Sequence, residues 1–401
     1  MNSSHIPPYL RETYLHVDTC YKYVDIKYKY LDIDIKKILV NLYRKESSIL
    51  FEITQKKFLK QDIDSLDKLN IRISNTKFKI KTFMKVLINK IFLIFKTKNS
   101  INNTIIIRSW VEDCLELFKE DINQNCTFLV YPFAIKLKRQ LLFIKELKKR
   151  NLHYSLMGLN YSWIDLLKWL YSSSDLDYVN MEYNANKKHA QLLLKQFSAT
   201  KLFTTDEFEI ASFVMHATLM SNLYITNSAH GTGKYSPYVA YDAFYVFNNA
   251  QKEYYKYLSS NIEYKTIKTP VVHDFKFNGN IILISQSLDY NDDSFVSNEE
   301  IKLIDTLKNF KNFHFYIKLH PNSKITEYKC SKTNSNLLLD DNKKMKNSIF
   351  FTLFSTAYYD FQAYGITYLV ETQYNKPELV FGKHERIIHI NEIDKLLETL
   401  K

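Results

Sequence analysis

Glycine, proline and cysteine are all scarce in this sequence. Its 401 residues include 6 glycines, 7 prolines and 4 cysteines, and no internal repeat or low-complexity tract is present. The cysteines form no CxxC pair and have no spacing typical of metal ligands; they are Cys20, Cys114, Cys126 and Cys330. We therefore expect a chain without a metal site, working in a reducing, cytoplasmic environment.

Long apolar runs are also missing. No stretch reaches the roughly 18 uncharged apolar residues that would span a bilayer, and the opening MNSSHIPPYLRETYLH lacks the apolar core of a signal peptide. We therefore expect a soluble or peripheral protein. At 46% hydrophobic and 24% charged residues the composition is globular, and the length favours two or three domains.

Positive charge is unevenly distributed along the chain, whose formal net charge is +12. Residues 1–103 contain 20 Lys and Arg against 10 Asp and Glu, whereas the remaining residues contain 35 against 33. The basic character therefore belongs to the first quarter of the chain. We expect this quarter to be a basic N-terminal extension that precedes the folded domains.

The segment NSAHGTGKYSPYVAYD, residues 227–242, superficially resembles a phosphate-binding loop. A P-loop requires G-x-x-x-x-G-K-[ST], in which the lysine reaches the β- and γ-phosphates and the following hydroxyl binds magnesium. Relative to Gly233 and Lys234, Ser228 replaces the first required glycine and Tyr235 replaces the required Ser or Thr. A P-loop nucleoside triphosphatase is therefore excluded, and the glycines of this turn need another explanation.

From about residue 104 the chain alternates short apolar segments with longer helical ones. The first set contains one expected helix, IKLKRQLLFIKELKKRN, and five expected strands: NTIIIRSW, CTFLVYPFAI, LHYSLMG, DYVNMEY and SNLYITNS. A second set follows the linker-like KTPVVHDFKFNGN and alternates strand and helix more regularly. This rhythm predicts an α/β protein with mainly parallel sheets, divided into residues 1–103, 104–275 and 276–401.

Two elements of the second set are suited to binding a phosphate. FYIKLHPNS places His320 and Pro321 directly after a predicted strand, where ligands of open α/β sheets bind. IFFTLFSTAYYDF places Ser355 and Thr356 at the start of a helix, and helix N-termini attract anions. A chance His-Pro pair and simple capping are the alternatives, but the combination favours a shared phosphate. Further candidates, after the first strand of this set, are Ser285 and Gln286.

The KLHP strand end followed by FSTAYYDFQAYGI resembles the donor half of GT-B glycosyltransferases of bacterial surface polysaccharides. It is most similar to their sialyltransferase and related CMP-sugar transferase groups, over about residues 220–372. The resemblance implies two Rossmann-like domains that face a cleft. It also implies a CMP-sugar donor, no cofactor, and contacts to the nucleotide phosphate from His320, Ser355 and Thr356, with Pro321 beside the histidine.

The glycine turn of the first set has a place in the same resemblance. Such enzymes carry an acidic-Gly or His-Gly turn at the cleft, and members with an Asp before the Gly use it as the base. Here the position is His230, followed by Gly231, which is a further candidate for contact with the donor. An imidazole has a pKa near ~6.5 and can act as a general base. Asp242 is the second candidate for the base. A turn with a solvated histidine is the structural alternative.

No metal ligands are assigned. GT-A glycosyltransferases hold a metal with a D-x-D pair at a strand end, but chance triplets are expected among 43 acidic residues. The triplets of this sequence are Asp32/Asp34, Asp62/Asp64 and Asp175/Asp177. Two lie in the basic region and the third follows YSSS in a loop-helix setting. No nucleic-acid recognition signature is present either, so we expect no nucleic-acid partner.

The segment from Lys77 to Lys98 contains seven lysines and no acidic residue, interleaved with Phe and Met side chains. This pattern is typical of an interfacial helix that lies on an anionic membrane surface. A core helix with a solvated lysine face is an equal alternative.

These features together predict an inverting, metal-independent glycosyltransferase. The best candidate for the transferred sugar is sialic acid or a related nonulosonate, moved from a CMP-sugar to a hydroxyl of a cell-surface or lipid-linked glycan. We expect the protein in the cytoplasm, peripheral at the inner face of the cell membrane. The alternatives are a teichoic-acid-type polyol-phosphate transferase and a non-catalytic membrane-binding protein that uses residues 1–103.

Overall fold

The structure is a computed structural model, which describes most but not all of the chain. The described residues are 8–47, 75–94, 104–108, 114–131, 137–205, 210–229, 231, 239, 241–269, 271–285, 295–319, 336–338, 342–355, 357–373, 375–382, 384 and 386–399.

In the described part of the chain, three helices precede the first sheet: α1 (Pro8–Lys27), α2 (Ile33–Ser47) and α3 (Thr76–Ile94). The strands of that sheet are β1 (Ile105–Arg108), β2 (Cys126–Val130), β3 (His153–Leu156), β4 (Lys201–Thr204), β5 (Tyr224–Ser228), β6 (Ala243–Val246) and β7 (Glu263–Thr266). The helices between them are α4 (Cys114–Leu117), α5 (Leu137–Lys149), α6 (Trp163–Ser172), α7 (Asp175–Gln196), α8 (Ile210–Leu219) and α9 (Asn249–Leu258).

A second sheet follows the connection 267–279. Its strands are β8 (Asn280–Ile284), β9 (His314–Lys318), β10 (Asn336–Leu338), β11 (Ser348–Thr352), β12 (Gly365–Glu371) and β13 (Ile387–His389). Its helices are α10 (Phe295–Lys308), α11 (Asn342–Met345), α12 (Ala357–Phe361), α13 (Glu378–Phe381) and α14 (Ile393–Glu398), with a 3₁₀ turn at Ile390–Glu392.

Both sheets are doubly wound. The first has the order β3-β2-β1-β4-β5-β6-β7 and the second β10-β9-β8-β11-β12-β13. Every described pairing is parallel, from β1–β2 to β12–β13. In each sheet the order reverses beside the first strand, which is the Rossmann arrangement. The predicted α/β architecture with two Rossmann-like domains is therefore confirmed.

Helices cover both faces of each sheet, which explains why the strands are continuous apolar runs rather than alternating ones. In β1, Ile105 and Ile107 belong to one core cluster while Ile106 belongs to another. In β8 the same alternation separates Ile281 and Leu283 from their neighbours. Each domain therefore has a core on either side of its sheet.

The basic residues 1–103 were expected to form a separate extension, but their described helices belong to the first domain. Val17 and Val24 of α1 and Leu39 of α2 are buried in the core cluster that also contains Ile106 of β1. The Tyr43 hydroxyl donates a 2.7 Å hydrogen bond to Asp175 Oδ2 at the start of α7. The boundary expected at residue 103 therefore does not divide the core. The boundary expected near 275 lies in the connection between β7 and β8.

The segment DYVNMEY was predicted to be a strand, and that prediction is wrong because it lies within helix α7. Ser174 caps the helix by accepting a hydrogen bond from Leu176 N at 3.2 Å. Aspartates in the first turn favour a helix start through the helix dipole. The buried residues of α7 recur at helical spacing: Val179, Met181, Glu182, Ala185, Asn186, His189, Ala190 and Leu193. The apolar residues of DYVNMEY are thus part of a pattern with a period of 3.6 residues, which can be recognised only over the full length of helix α7.

The two domains contact each other where strand β6 ends and helix α12 begins. Phe247 directly follows β6, and its ring stacks on Tyr359 of α12 with centroids 5.3 Å apart. The side-chain amide of Asn248 donates to the Tyr359 hydroxyl at 3.0 Å. Because both elements lie at the carboxyl ends of their sheets, the carboxyl edges of the two sheets face each other across the domain junction. In the described part of the chain, no helix is long and apolar enough to cross a membrane.

We predict that Gly365→Ala strongly destabilises the second domain. A Cβ at Gly365 would lie 1.9 Å from the carbonyl oxygen of Ser348, its partner in the β11–β12 pairing. Neither backbone can move without breaking the ladder, so we expect the free energy of unfolding to fall by about 3 kcal/mol or more. Urea unfolding measures this. The matched control is Gly279→Ala, which meets no atom within 4 Å and has a φ of +83°, a strain of roughly 1–2 kcal/mol. Equal losses in the two variants would contradict the prediction.

Candidate active site

The crevice at which the strand order of the second sheet reverses lies between β8 and β11. In open α/β sheets, ligands bind outside the carboxyl ends of the strands at this point. Ser285 follows β8 directly, and Ser355 lies three residues beyond β11. The structure therefore brings two of the predicted donor-binding residues to the edges of one crevice.

Ser285 is buried, and its side chain forms a hydrogen bond within the protein. Its hydroxyl donates to Glu300 Oε1 of α10 at 2.6 Å, and its backbone N donates to Lys318 O at the end of β9 at 3.0 Å. Glu300 is itself fully buried. Ser285 thus connects β8, β9 and α10, so it supports the crevice instead of presenting a free hydroxyl to it.

Ser355 caps helix α12. Its Oγ accepts a hydrogen bond from Ala357 N at 3.2 Å, and its own backbone N donates to Thr352 Oγ1 at 3.3 Å. A serine hydroxyl that accepts one hydrogen bond still has a proton to donate. Capping and donation to a bound phosphate are therefore compatible at this residue.

Asn375 holds the carboxyl ends of β11 and β12 together. The side chain is buried, and its Nδ2 donates to Val370 O at 2.7 Å and to Leu353 O at 3.0 Å. Its backbone N donates to Thr372 Oγ1 at 2.9 Å. No feature of the sequence around NKPE indicated this amide, because its partners are backbone carbonyls that only the parallel pairing brings together.

The other predicted phosphate and base residues lie outside the described residues; they are His320, Pro321, Gln286, Thr356 and His230. Some of the residues next to them in the sequence are among the described residues. Leu319 follows β9 and is buried, and Ala357 begins α12.

The glycine turn is anchored at the carboxyl edge of the first sheet. Ala229 N donates to Tyr245 O of β6 at 2.8 Å. The buried Gln251, in the first turn of α9, donates through Nε2 to Gly231 O at 2.6 Å and accepts from Phe247 N at 2.8 Å. The same glutamine therefore fixes both Gly231 and the residue that contacts the second domain. This places the two neighbours of His230 beside the domain junction.

Asp242, the second candidate for the base, lies at the opposite edge of the sheet. It directly precedes β6, and its Oδ2 accepts a 2.7 Å hydrogen bond from Ile225 N near the start of β5. Strands β5 and β6 are parallel, so this position is at their amino ends. We therefore assign Asp242 the role of joining two strands and remove it from the candidate site.

A buried polar cluster at the carboxyl end of β1 was missed by sequence reasoning. Arg108 ends β1 beside β4, where the order of the first sheet reverses, and is almost fully buried. Its guanidinium lies 5.3 Å from the centroid of the Tyr131 ring. The Tyr131 hydroxyl is 2.7 Å from His189 Nε2 of α7. The sequence feature that could have indicated this cluster is the charged Arg108 at the end of the apolar strand in NTIIIRSW.

His216 of α8 is fully buried near this cluster and packs edge-on against Tyr241, with centroids 4.6 Å apart. Neither of its ring nitrogens has a hydrogen-bond partner among the described residues. Burial, together with the positive charge of Arg108, lowers the pKa of His216 well below its usual value. The imidazole is therefore neutral in the folded protein at neutral pH.

The described D-x-D aspartates serve helix starts. Asp32 Oδ1 accepts from Asp34 N at 2.8 Å ahead of α2, and Asp175 accepts the Tyr43 hydroxyl. Asp177 forms a 2.8 Å ion pair with Lys168 of α6. Within the described ranges no group of three or more His, Cys, Asp or Glu side chains could hold a metal ion. Asp62 and Asp64 lie outside these ranges.

No protein-family model and no curated protein matches the sequence. Similar solved structures include LpCGTa in complex with UDP, with 8% identity and a TM-score of 0.43 over 74% of this chain and 90% of that chain. Another is the spinosyn rhamnosyltransferase SpnG complexed with thymidine diphosphate, with 7% identity and a TM-score of 0.37 over 69% and 81%. A third is UDP-GlcNAc 2-epimerase from Methanocaldococcus jannaschii, with 9% identity and a TM-score of 0.36 over 74% and 99%. Likenesses of this size transfer no residue role to this chain.

We predict that His216 makes the protein sensitive to mild acid. Because its pKa is lowered in the folded state, the unfolded state binds the extra proton, and stability falls as the pH drops below about 6.5. The loss of stability grows as the pH falls further below that value. His216→Leu should unfold at a similar urea concentration at pH 7.5, since an unpaired buried polar group is replaced by an apolar one. Its stability should decline less in acid. Parallel pH profiles of the wild type and the variant would contradict the prediction.

Proposed function

We propose that this protein is a glycosyltransferase that uses a nucleotide-sugar donor. The observation that supports the proposal most directly is the contact of Phe247 and Asn248 with Tyr359, which turns the carboxyl edges of two Rossmann-type sheets toward each other. Two such edges provide one ligand-binding crevice each. A donor bound at one and an acceptor at the other would meet at the domain junction, which is the geometry that group transfer requires.

The donor belongs at the crevice between β8 and β11. In our proposal, His320, Ser355 and Thr356 contact the phosphate of the nucleotide, and Pro321 fixes the turn that aims the imidazole. The Ser285–Glu300 hydrogen bond supports the residues after β8, where Gln286 lies. A CMP-sugar, with its single phosphate, is the donor we favour, because one imidazole and two hydroxyls can stabilise one phosphate charge without a metal.

The acceptor belongs at the glycine turn. In our proposal, His230 takes the proton from an acceptor hydroxyl, whose oxygen then attacks the anomeric carbon of the donor. The bond from that carbon to the phosphate oxygen breaks with inversion, and the nucleotide leaves with the electron pair. Negative charge grows on the leaving phosphate, where His320 and the two hydroxyls stabilise it. The hydrogen bond from Gln251 to Gly231 would keep the turn at the junction.

We further propose sialic acid or a related nonulosonate as the sugar and a cell-surface glycan, free or lipid-linked, as the acceptor. Work on such an acceptor would take place in the cytoplasm, at the inner face of the cell membrane. A polyol-phosphate transferase of the teichoic-acid type would also release CMP. A donor screen separates the two, because in that reaction the phosphate stays with the transferred group.

We predict that His320→Ala lowers transfer about 10²- to 10³-fold while the fold is retained, the usual loss for one electrostatic contact to a developing charge. CMP should raise the Tm of the wild type more than UDP or GDP, by mass action on the folded state, and should raise that of the variant much less. The assays are donor turnover and a thermal-shift titration.

The matched control is His314→Ala, which removes an exposed imidazole from the amino end of the same strand. It should keep both turnover and the CMP-induced shift. Near wild-type turnover of His320→Ala would remove that residue from the proposed phosphate site. A larger shift with UDP or GDP would change the donor base but not the reaction class.

We also predict that transfer survives an excess of EDTA. The described D-x-D aspartates are occupied at helix starts, and the proposed His, Ser and Thr side chains neutralise the phosphate by themselves. Turnover is measured before and after chelation. Loss of activity that manganese or magnesium restores would show that the transfer needs a metal.

A further inference from the structure

Helix α3 makes most of its polar contacts on the side that faces the protein, where Val86 is also buried. Lys85 forms a 2.8 Å ion pair with the buried Glu182 of α7. The buried Asn89 accepts a 2.8 Å hydrogen bond from Leu159 N, and Lys79 donates to Leu170 O at 3.0 Å. Thr82 is buried on the same side. These directional contacts fix the rotation of the helix about its axis.

The opposite side of α3 is apolar and exposed. Ile80 is 61% exposed, Met84 46% and Ile91 42%. Their spacing of three to four residues, continued by the half-buried Leu87 and Ile88, forms one stripe along the helix. A surface helix of a water-soluble domain normally shows the reverse pattern, with its apolar stripe toward the core.

Helix α6 extends the same apolar surface. The Phe83 ring of α3 lies 6.4 Å from the Trp163 ring at the start of α6, centroid to centroid. Beyond Trp163, the exposed apolar side chains of α6 are Ile164 at 78%, Leu167 at 62% and Tyr171 at 95%. We call this surface of α3 and α6 the α3–α6 face. It holds half of the large apolar side chains that are exposed in the described part of the chain.

We infer that the α3–α6 face docks on an anionic lipid bilayer. Lys77 and Lys81 are exposed at the N-terminal end of the apolar stripe, and α3 contains no acidic residue. This combination of apolar side chains at acyl depth and lysines at headgroup depth is what anionic membrane surfaces bind. Trp163 and Tyr171, near the two ends of α6, are the residue types that prefer the level of the headgroups.

Charge argues against a second copy of the chain as the occupant. A two-fold dimer places the same face of each protomer against itself. The α3–α6 face would then place the lysines of α3 against a face that carries the same lysines, with no acid on either α3 to compensate. On an anionic surface this repulsion is absent, and the same lysines are attracted to the negative charges of the lipid headgroups.

The α3–α6 face also lies on the side of the domain that the proposed function uses. Gly158, two residues beyond the carboxyl end of β3, is packed so closely against α3 that a Cβ there would lie 2.4 Å from Asn89 O. Helix α3 therefore packs on the loop that follows the carboxyl end of β3, and this end belongs to the same edge of the first sheet as the proposed acceptor turn. Docking would present a lipid-linked acceptor at that edge; this consequence rests on the proposed function, whereas docking itself does not.

The test is co-sedimentation of the full chain with vesicles of phosphatidylcholine alone or mixed with phosphatidylglycerol, without donor or acceptor. We expect binding only to the anionic vesicles, weakening as salt screens the charges. Lys77→Gln with Lys81→Gln should weaken it about 25-fold, since each lysine near an anionic surface contributes roughly five-fold. Ile164→Gln with Leu167→Gln should weaken it at least about ten-fold through lost apolar burial.

Matched controls come from the rest of the chain. Leu141→Gln with Leu142→Gln removes two apolar side chains of α5 that are 57% and 51% exposed. Lys343→Gln with Lys344→Gln removes two exposed lysines of the second domain. Both pairs should leave vesicle binding unchanged. A loss with either control pair as large as with the face variants would overturn the α3–α6 assignment.

A readout that does not depend on the folding of a multiple variant comes from Trp163. Brominated phosphatidylglycerol quenches tryptophan at headgroup and upper acyl depth, so it should quench the wild type, and Trp163→Phe should abolish most of that quenching. No binding to anionic vesicles, or no quenching on binding, would overturn the inference. A dimer by light scattering that Ile164→Gln with Leu167→Gln converts to a monomer would assign the face to a second copy instead.

Discussion

The contact between Tyr359 and the end of β6 determines what the two domains can do together. The phenol stacks on Phe247 and accepts a hydrogen bond from Asn248, and burial raises the pKa of Tyr359, which keeps the hydroxyl neutral. Without this contact each sheet would still offer a crevice at its own switch point. With it, the carboxyl edges of the two sheets face each other at one junction, which is the arrangement that the proposed transfer between two bound molecules requires.

Buried amides and carboxylates stabilise both carboxyl edges, where the backbone leaves the sheet and its polar groups need partners. Gln251 pairs with the backbone of Gly231 and Phe247, and Asn375 donates to the carbonyls of Val370 and Leu353, whereas Glu300 accepts a hydrogen bond from the Ser285 hydroxyl. Buried polar groups of this kind are costly unless every one is satisfied. They support the loops while leaving the loop residues themselves available for ligands.

The sequence predicted those strands that are apolar runs buried on both faces, such as IIIR, CTFLV, NIILI and SIFFT. It did not predict β4, β6, β7 and β13, which have only three or four residues each. Predictions from the sequence failed where the structure or role of a residue depends on residues that are distant in the sequence. Asp242 precedes a strand rather than following one, which depends on where β6 begins. DYVNMEY belongs to a helix whose 3.6-residue pattern is not apparent within seven residues. Arg108 and Asn375 have roles that only strand order creates.

Helix α3 shows why composition alone left two alternatives for the lysine-rich segment. Seven lysines among Phe, Ile and Met residues fit either a core helix with a solvated lysine face or a helix on a membrane. The first alternative requires the lysines to point outward. Lys85 and Lys79 instead point inward, because Lys85 forms an ion pair with Glu182 and Lys79 donates a hydrogen bond to the carbonyl of Leu170. Because these inward contacts fix the rotation of the helix, its apolar stripe faces outward. Covering such an exposed apolar stripe lowers the free energy of the protein.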